Sequence, residues 1–179
     1  DGTKCVDVRN NAIYNWGFKS GYGGGHHAEV NLVNNYYKPG PATTHRRFFD
    51  VADDRTGRYY INGNVMVGDE RMSGDNRLGV GDKPGLPYIS KSTPRGINPE
   101  AIPERGDSTM TCLVNEPFPF EPIPEETAYE AYERILQDVG CSYSRDRYDA
   151  EVLRQVREGL GTFGNKGLID KPEDVTIFD

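Results

Sequence analysis

Apolar and polar residues alternate in three short segments near the start of the chain. The segments cover residues 6–13 (VDVRNNAI), 30–37 (VNLVNNYY) and 59–66 (YYINGNVM). In each, apolar residues at every second position are followed by Asn or Gly, an Asn, and a second short apolar stretch. The alternation predicts a short strand with one buried face, and the Asn-containing pair predicts a tight turn with a positive φ.

The second residue of each turn pair is an asparagine. Asn11, Asn35 and Asn64 are separated by 24 and 29 residues. A strand–turn–strand unit cannot bury its inner face alone, so the units should stack with their Asn amides bonded along the stack. The pattern predicts a mainly β chain whose residues 1–68 form coils of a parallel β-helix. An antiparallel meander is the alternative, but it would call for two-residue hairpins between the repeats.

The remaining chain divides into two parts. Residues 69–124 are rich in Pro, Gly and charged side chains, which predicts an extended strap packed on the coils or, alternatively, a flexible linker. The apolar residues expected to hold this strap are Leu86, Tyr88, Ile89, Leu113, Val114, Phe118 and Phe120. Residues 125–179 are predicted to form a two-helix C-terminal appendage.

Local signals place both helices. Thr127 and Glu130 fit a capping box, and Gly140 is expected to end the first helix. Asp149 is expected to cap the second, which ends at Gly159. The predicted inward residues are Ala131, Tyr132, Ile135, Leu136 and Val139 in the first helix, and Val152, Leu153 and Val156 in the second.

Charge and composition narrow the function classes. The net charge of −7 argues against nucleic acid as a partner, and no apolar window is long enough to span a membrane. Residues 1–50 nevertheless hold six basic and four acidic residues, against fifteen and twenty-four in residues 51–179. A locally basic segment in an acidic protein is suited to a polyanion. The three cysteines are expected to be buried thiols, with one disulfide as the alternative.

A family resemblance rests on both ends of the chain. The string VDVRNNAIYNWGFKSGYGGGHHAEVNLVNNYYKPGPAT, residues 6–43, closely resembles a stretch of bacterial pectate lyases. The sequence GLIDKPEDV and the paired helices resemble their C-terminal appendage. The resemblance implies the last coils of a right-handed parallel β-helix and cleavage of polygalacturonate by calcium-assisted β-elimination. It also implies a secreted or periplasmic location, and an N-terminal half of the same enzyme as a partner.

The catalytic residues cannot be placed on this chain. The Arg-Pro-Arg motif that carries the base in the family does not occur, and no calcium ligand matches. Asp53, Asp54, Asp69 and Glu70 lack the spacing of a calcium loop and are interpreted as turn acids. The competing hypotheses are a non-catalytic module that binds acidic glycans and a trimeric adhesive β-helix.

Cationic and aromatic side chains in and beside the first repeats are the candidates for binding acidic sugar. Guanidinium and ammonium groups bind carboxylates, and tyrosine rings stack on sugars. Most exposed loop cations are simply solvated, which is the alternative for each of them. The candidate substrate-binding residues are Arg9, Tyr22, His26, His27, Lys38, Arg46 and Arg47.

Overall fold

The computed structural model describes residues 4–24, 27–51, 56–81 and 112–161. Its secondary-structure elements are short. The strands are β1 (Cys5–Arg9), β2 (Ala12–Tyr14), β3 (Tyr22–Gly23), β4 (Glu29–Val33), β5 (Tyr36–Lys38), β6 (Phe49–Val51), β7 (Arg58–Asn62), β8 (Val65–Met66), β9 (Val80–Gly81) and β10 (Leu113–Val114). The helices are α1 (Glu70–Gly74), a 3-10 helix (Asn76–Gly79), α2 (Ala128–Asp138) and α3 (Arg147–Glu158).

The strands form three parallel sheets. Sheet A has the order β1-β4-β7-β10, sheet B the order β2-β5-β8, and sheet C the order β3-β6-β9. Each sheet takes one strand from each of three successive units, which we call unit 1 (β1–β3), unit 2 (β4–β6) and unit 3 (β7–β9). Val6 pairs with Val30, and Val30 with Tyr59, so the predicted repeats align residue for residue.

The predicted fold class is wrong. Helix and strand each make up about 26% of the structure, and parallel sheets of three or four strands combine with helices. The arrangement is α/β-like and not a mainly β, right-handed parallel β-helix. The strands are too short to dominate the chain, and the polar sequence after them forms helices whose apolar stripes cover a sheet.

The predicted asparagine stack is confirmed in detail. The backbone N–H and side-chain amide of Asn11 both donate to Asn35 Oδ1, at 3.0 Å each. The same groups of Asn35 donate to Asn64 Oδ1, at 3.0 and 2.9 Å. The residues before Asn11, Asn35 and Asn64 have φ values of 55°, 53° and 68°, the last being Gly63. The two-residue turns between sheets A and B therefore stack on one another.

The stack is closed by a residue that the sequence did not reveal. Asn64 donates to Asn76 Oδ1 through its backbone N–H at 2.7 Å and its side-chain amide at 2.9 Å. Asn76 lies in the 3-10 helix and donates in turn to the carbonyl oxygens of Asn64, Met72 and Ser73. Residues 70–81 thus hold helical turns and strand β9, and the extended strap predicted there is wrong. Asp69 caps α1 by accepting from the Met72 N–H, which confirms it as a turn acid.

Apolar side chains fill the space between the three sheets. One cluster contains Val30, Leu32, Val51 and Tyr59. A second contains Trp16, Tyr37, Phe48, Met66 and Met72. Tyr37 and Met66 are 2% and 1% exposed, so the prediction that Tyr37 belongs to the core is confirmed. Of the three cysteines, Cys112 is buried whereas Cys5 and Cys141 are exposed, so the expectation of three buried thiols is wrong.

Helices α2 and α3 cover the outer side of sheet B. Tyr132 of α2 stacks on Tyr36 of β5 with ring centroids 4.2 Å apart. The capping box of Thr127 and Glu130 is present, and Gly159 ends α3 in the left-handed conformation, as predicted. The cap of α3, however, is Asp146 and not Asp149. Val139 and Val152 are exposed, so the apolar stripes are narrower than predicted.

Residues 115–125, which we call the covering segment, lie on the outer side of sheet A. Phe118 exchanges hydrogen bonds with the Asn31 side chain, at 3.0 Å in each direction. The Arg9 guanidinium lies 3.7 Å from the centroid of the Phe120 ring. Leu86, Tyr88 and Ile89 fall outside the described residues. Within the described segments, no helix is both long and apolar enough to cross a membrane.

Candidate functional site

The outer side of sheet C carries one residue from each unit in lateral register. Tyr22 of β3 pairs with Asp50 of β6, and Asp50 pairs with Gly81 of β9. The neighbouring positions Val51 and Val80 point into the core, so the alternation of a strand directs Tyr22, Asp50 and Gly81 outward. Tyr22 is 50% exposed.

Asp50 holds two cations that precede these strands. One carboxylate oxygen accepts from Arg47 Nη1 at 2.5 Å, and the other lies 3.9 Å from Lys19 Nζ. The side chains of Arg47 and Asp50 are both 12% exposed, so the ion pair is largely desolvated and stronger than a surface pair. Each oxygen of the carboxylate thus orients one cation.

Gly81 leaves the space that this ion pair occupies. A Cβ at Gly81 would lie 2.0 Å from Asp50 Oδ1 and 2.1 Å from Arg47 Nη1. Both distances are shorter than any contact that a real Cβ makes, so a side chain at this position would displace the pair. The pair lies directly over the backbone of β9.

Aromatic rings flank the Lys19 ammonium. Its Nζ lies 4.1 Å from the Tyr22 ring centroid and 6.0 Å from that of Phe18. Phe18 is 57% exposed, which makes both rings accessible. Lys19 and Arg47 bring two positive charges against the single carboxylate of Asp50. We call Phe18, Lys19, Tyr22, Arg47 and Asp50 the sheet C surface; its surroundings favour anions.

The pKa of His45 reflects the same positively charged surroundings. Burial lowers the pKa of its imidazole, and the nearby charges of Arg47 and Lys19 lower it further, while Asp50 raises it. Its ring contacts Phe18, with centroids 4.1 Å apart, and its backbone carbonyl accepts from the Trp16 indole at 2.6 Å. His45 therefore supports the sheet C surface as a neutral group at pH 7.

The structure separates the seven predicted binding residues. Tyr22 and Arg47 belong to the sheet C surface. The exposed Arg46 precedes Arg47 in the chain, and its guanidinium lies 3.5 Å from where a Cβ of Gly68 would stand. His27 lies in the link after β3, exposed, with its backbone N–H donating to Thr56 Oγ1 at 2.9 Å. His26 falls outside the described residues.

Two of the predicted binding residues have internal partners instead. Arg9 is 8% exposed and pairs with both carboxylate oxygens of Asp7, at 2.5 and 2.7 Å. Hydrogen bonding to Arg9 lowers the pKa of the Asp7 carboxyl. The Lys38 ammonium donates to the Val156 and Arg157 carbonyl oxygens, at 2.6 and 2.9 Å. Because these two cations hold the covering segment and α3, we leave them out of the surface.

Sequence reasoning missed Lys19, Asp50 and Phe18. A signal was present: Lys19 and Arg47 have the same separation as the register pair Tyr22 and Asp50. The Asn turns align only the first part of each unit, and the links after them differ in length, so they do not reveal the equivalence of positions farther along.

The described residues do not fit the calcium ion that the resemblance implies. They include no group of three His, Cys, Asp or Glu side chains able to hold a metal. Asp7 and Asp50 are each engaged by an arginine, and Asp69 caps a helix. We therefore derive no step through calcium from this part of the chain.

Comparison with protein families and with curated proteins adds no relative. No protein-family model matches the chain, and no curated protein matches it significantly. The assignment of function therefore rests on the geometry of the site and on the resemblance of residues 6–43.

Proposed function

We propose that the chain is part of a pectate lyase-like enzyme and that the sheet C surface binds its acidic polysaccharide, of the polygalacturonate type. One observation carries the proposal: within the described residues, the chain covers the outer sides of sheets A and B, whereas sheet C presents two exposed aromatic rings around a lysine. The proposal for cleavage by β-elimination rests on the sequence resemblance.

The chemistry of a polyuronate matches this surface. Each sugar carries one carboxylate, which an ammonium or guanidinium binds by charge-assisted hydrogen bonds. The face of the sugar ring is apolar and packs on an exposed aromatic side chain, as Tyr22 and Phe18 provide. Asp50 keeps Lys19 and Arg47 at fixed positions, which reduces the entropy lost when a chain binds.

The charge of the surface also suits the reaction class. Removal of a proton next to a carboxylate becomes easier when the charge of that carboxylate is offset by cations. Lys19 and Arg47 offset such a charge where they contact a uronate. We assign no proton-transfer step to a residue of this chain.

Binding is tested by titrating the protein with polygalacturonate and, as a control, with an uncharged galactan. We expect Tyr22→Ala to weaken binding of the acidic polymer about tenfold, about 1.4 kcal/mol, and Lys19→Gln by a similar factor. The matched control is Tyr143→Ala, because Tyr143 is fully exposed on the link between α2 and α3. Equal affinities for the Tyr22 and Tyr143 variants would sink the proposed surface.

Salt and product formation sharpen the test. Raising salt from 0.1 to 1 M shortens the Debye length from about 10 to about 3 Å, so binding through Lys19 and Arg47 should weaken. Ultraviolet absorbance of the unsaturated uronate reports cleavage. A rise shows that a complete lyase site lies in this chain. Salt-sensitive binding with a flat trace leaves the chain as the C-terminal part of a lyase or as a glycan-binding module.

A further inference from the structure

His45 lies beside the sheet C surface, in the link between β5 and β6. Its ring packs against Phe18, with centroids 4.1 Å apart, and the indole of the buried Trp16 donates to its backbone carbonyl at 2.6 Å. The Lys19 ammonium lies 6.0 Å from the centroid of the same Phe18 ring. The imidazole and this ammonium therefore lie within about 10 Å of each other, which is about the Debye length at 0.1 M salt.

The hydrogen bonds of Thr44 determine which nitrogen of the imidazole can take up a proton. Thr44 Oγ1 donates to the Gly17 carbonyl oxygen at 3.0 Å and lies 3.2 Å from His45 Nδ1. Because a hydroxyl has only one hydrogen, an Oγ1 that donates to Gly17 accepts from Nδ1. The neutral ring then carries its hydrogen on Nδ1, and a second proton adds to Nε2. Thr44 keeps both hydrogen bonds in either state, so protonation requires no rearrangement of this link.

Charged groups from two links and one strand act on the imidazole. Burial lowers its pKa, and the charges of Arg47 in its own link and Lys19 in the link before β3 lower it further. Asp50 of β6 raises the pKa. The guanidinium of the adjacent Arg46 lies beside Gly68. In the free protein, the two cations therefore oppose protonation more than the one carboxylate favours it.

A bound polyanion reverses this balance. A carboxylate that pairs with Lys19 or Arg47 offsets a positive charge that disfavours the imidazolium, and it adds a negative charge of its own. The pKa of the imidazole is then higher in the complex than in the free protein. By thermodynamic linkage, a ligand that raises this pKa binds more tightly to the protonated protein.

We infer that His45 is a binding residue of the sheet C surface and that an acidic polysaccharide binds there with uptake of a proton at Nε2. The inference rests on the proposed function and adds a response to pH. Affinity rises as the pH falls through the range in which His45 titrates. The uronate carboxylates stay ionised in this range, because ordinary carboxyl groups have pKa values near about 4. The imidazolium then joins Lys19 and Arg47 as a third cation.

The test compares the affinity for polygalacturonate at about pH 7.5 and about pH 5.5, at constant ionic strength. We expect the native protein to bind about threefold more tightly at the lower pH, since one charge added within a Debye length of the site contributes about that factor. His45→Gln should bind equally at both pH values. The matched control is His27→Gln, which should retain the threefold change because His27 is exposed in the link after β3.

Nuclear magnetic resonance supplies a readout that a merely structural role of His45 would not change. The imidazole signals are followed against pH in the free protein and in the presence of saturating polygalacturonate, and the pKa should be higher in the complex. An equal pKa in both states overturns the inference, as does a pH-dependent affinity that His45→Gln retains in full. Absence of binding at both pH values instead overturns the proposed function, and this coupling with it.

Discussion

Sheets B and C have the same three-unit construction but different outer surfaces. On sheet B, Tyr36 stacks under Tyr132, and Lys38 donates to the last carbonyl groups of α3. On sheet C, the equivalent outer side carries Tyr22, Asp50 and the cations that Asp50 orients. The repeat builds three similar faces, and the sequence outside the repeat determines which of them is covered.

The largest effect is expected from uncovering sheet B. Tyr132→Ala removes a side chain that is 8% exposed and stacked on Tyr36, which should cost about 4 kcal/mol of unfolding free energy. Urea denaturation measures this loss. The control is Tyr129→Ala on the same helix, since Tyr129 is 60% exposed and should cost less than about 1 kcal/mol. Similar losses in both variants would mean that α2 does not cover the sheet as described.

Variants of two lysines should distinguish the stabilising role of sheet B from the binding role of sheet C. Lys38→Met removes charged hydrogen bonds to the C-terminal end of α3, which should cost about 2 kcal/mol and leave polysaccharide affinity unchanged. Lys19→Met should do the reverse, weakening binding with little loss of stability. Denaturation and binding are measured on both proteins. A loss of affinity in the Lys38 variant would contradict its assignment to α3.

The ion pair of sheet C is tested at Gly81. Gly81→Ala places a methyl group against Asp50 Oδ1 and Arg47 Nη1, and the overpacking should cost about 1 to 2 kcal/mol of unfolding free energy. Displacement of Arg47 should also weaken binding of polygalacturonate. Gly74→Ala is the control, because no atom lies within 4 Å of its added Cβ. Unchanged stability and binding in the Gly81 variant would show that the pair is not fixed over β9.

The smallest effect is a pH dependence at His45. Its pKa is lowered in the folded protein, so below about pH 6.5 the unfolded chain binds a proton that the folded chain does not. Stability should therefore fall as the pH decreases through 6.5, until the folded imidazole is also protonated. Denaturation of the native protein and of His45→Gln at pH 5 to 8 measures this, and the variant should lack that part of the slope. A slope that the variant retains in full would assign it to other groups.

The sequence predicted the structure correctly where a local pattern is compatible with only one backbone conformation. A turn that needs positive φ selects Asn10, Asn34 and Gly63, and the buried amides of Asn35 and Asn64 follow from stacking them. The capping box at Thr127 is equally local. The overall class was wrong, because the balance of strand and helix depends on how much of the remaining chain becomes helical.

Long-range partners were not predictable from one sequence. Asn76 joins the asparagine stack only twelve residues after Asn64, from a helical turn, so no repeat period indicates it. Arg9 alternates outward as a surface residue would, but the covering segment buries it from more than a hundred residues away. Whether an outward cation binds substrate or its own chain depends on tertiary packing, and Lys38 and Lys19 illustrate the two outcomes.

The stacked turns have a constant length, whereas the rest of each unit varies in length. Two residues join sheet A to sheet B in every unit, although the spacing between successive asparagines changes from 24 to 29. All of that difference is taken up in the remainder of each unit, which includes the links that carry Lys19, Arg46 and Arg47. Insertions and deletions beside the sheet C surface are thus accommodated without a shift in register, so this surface can diversify in evolution while its framework stays constant.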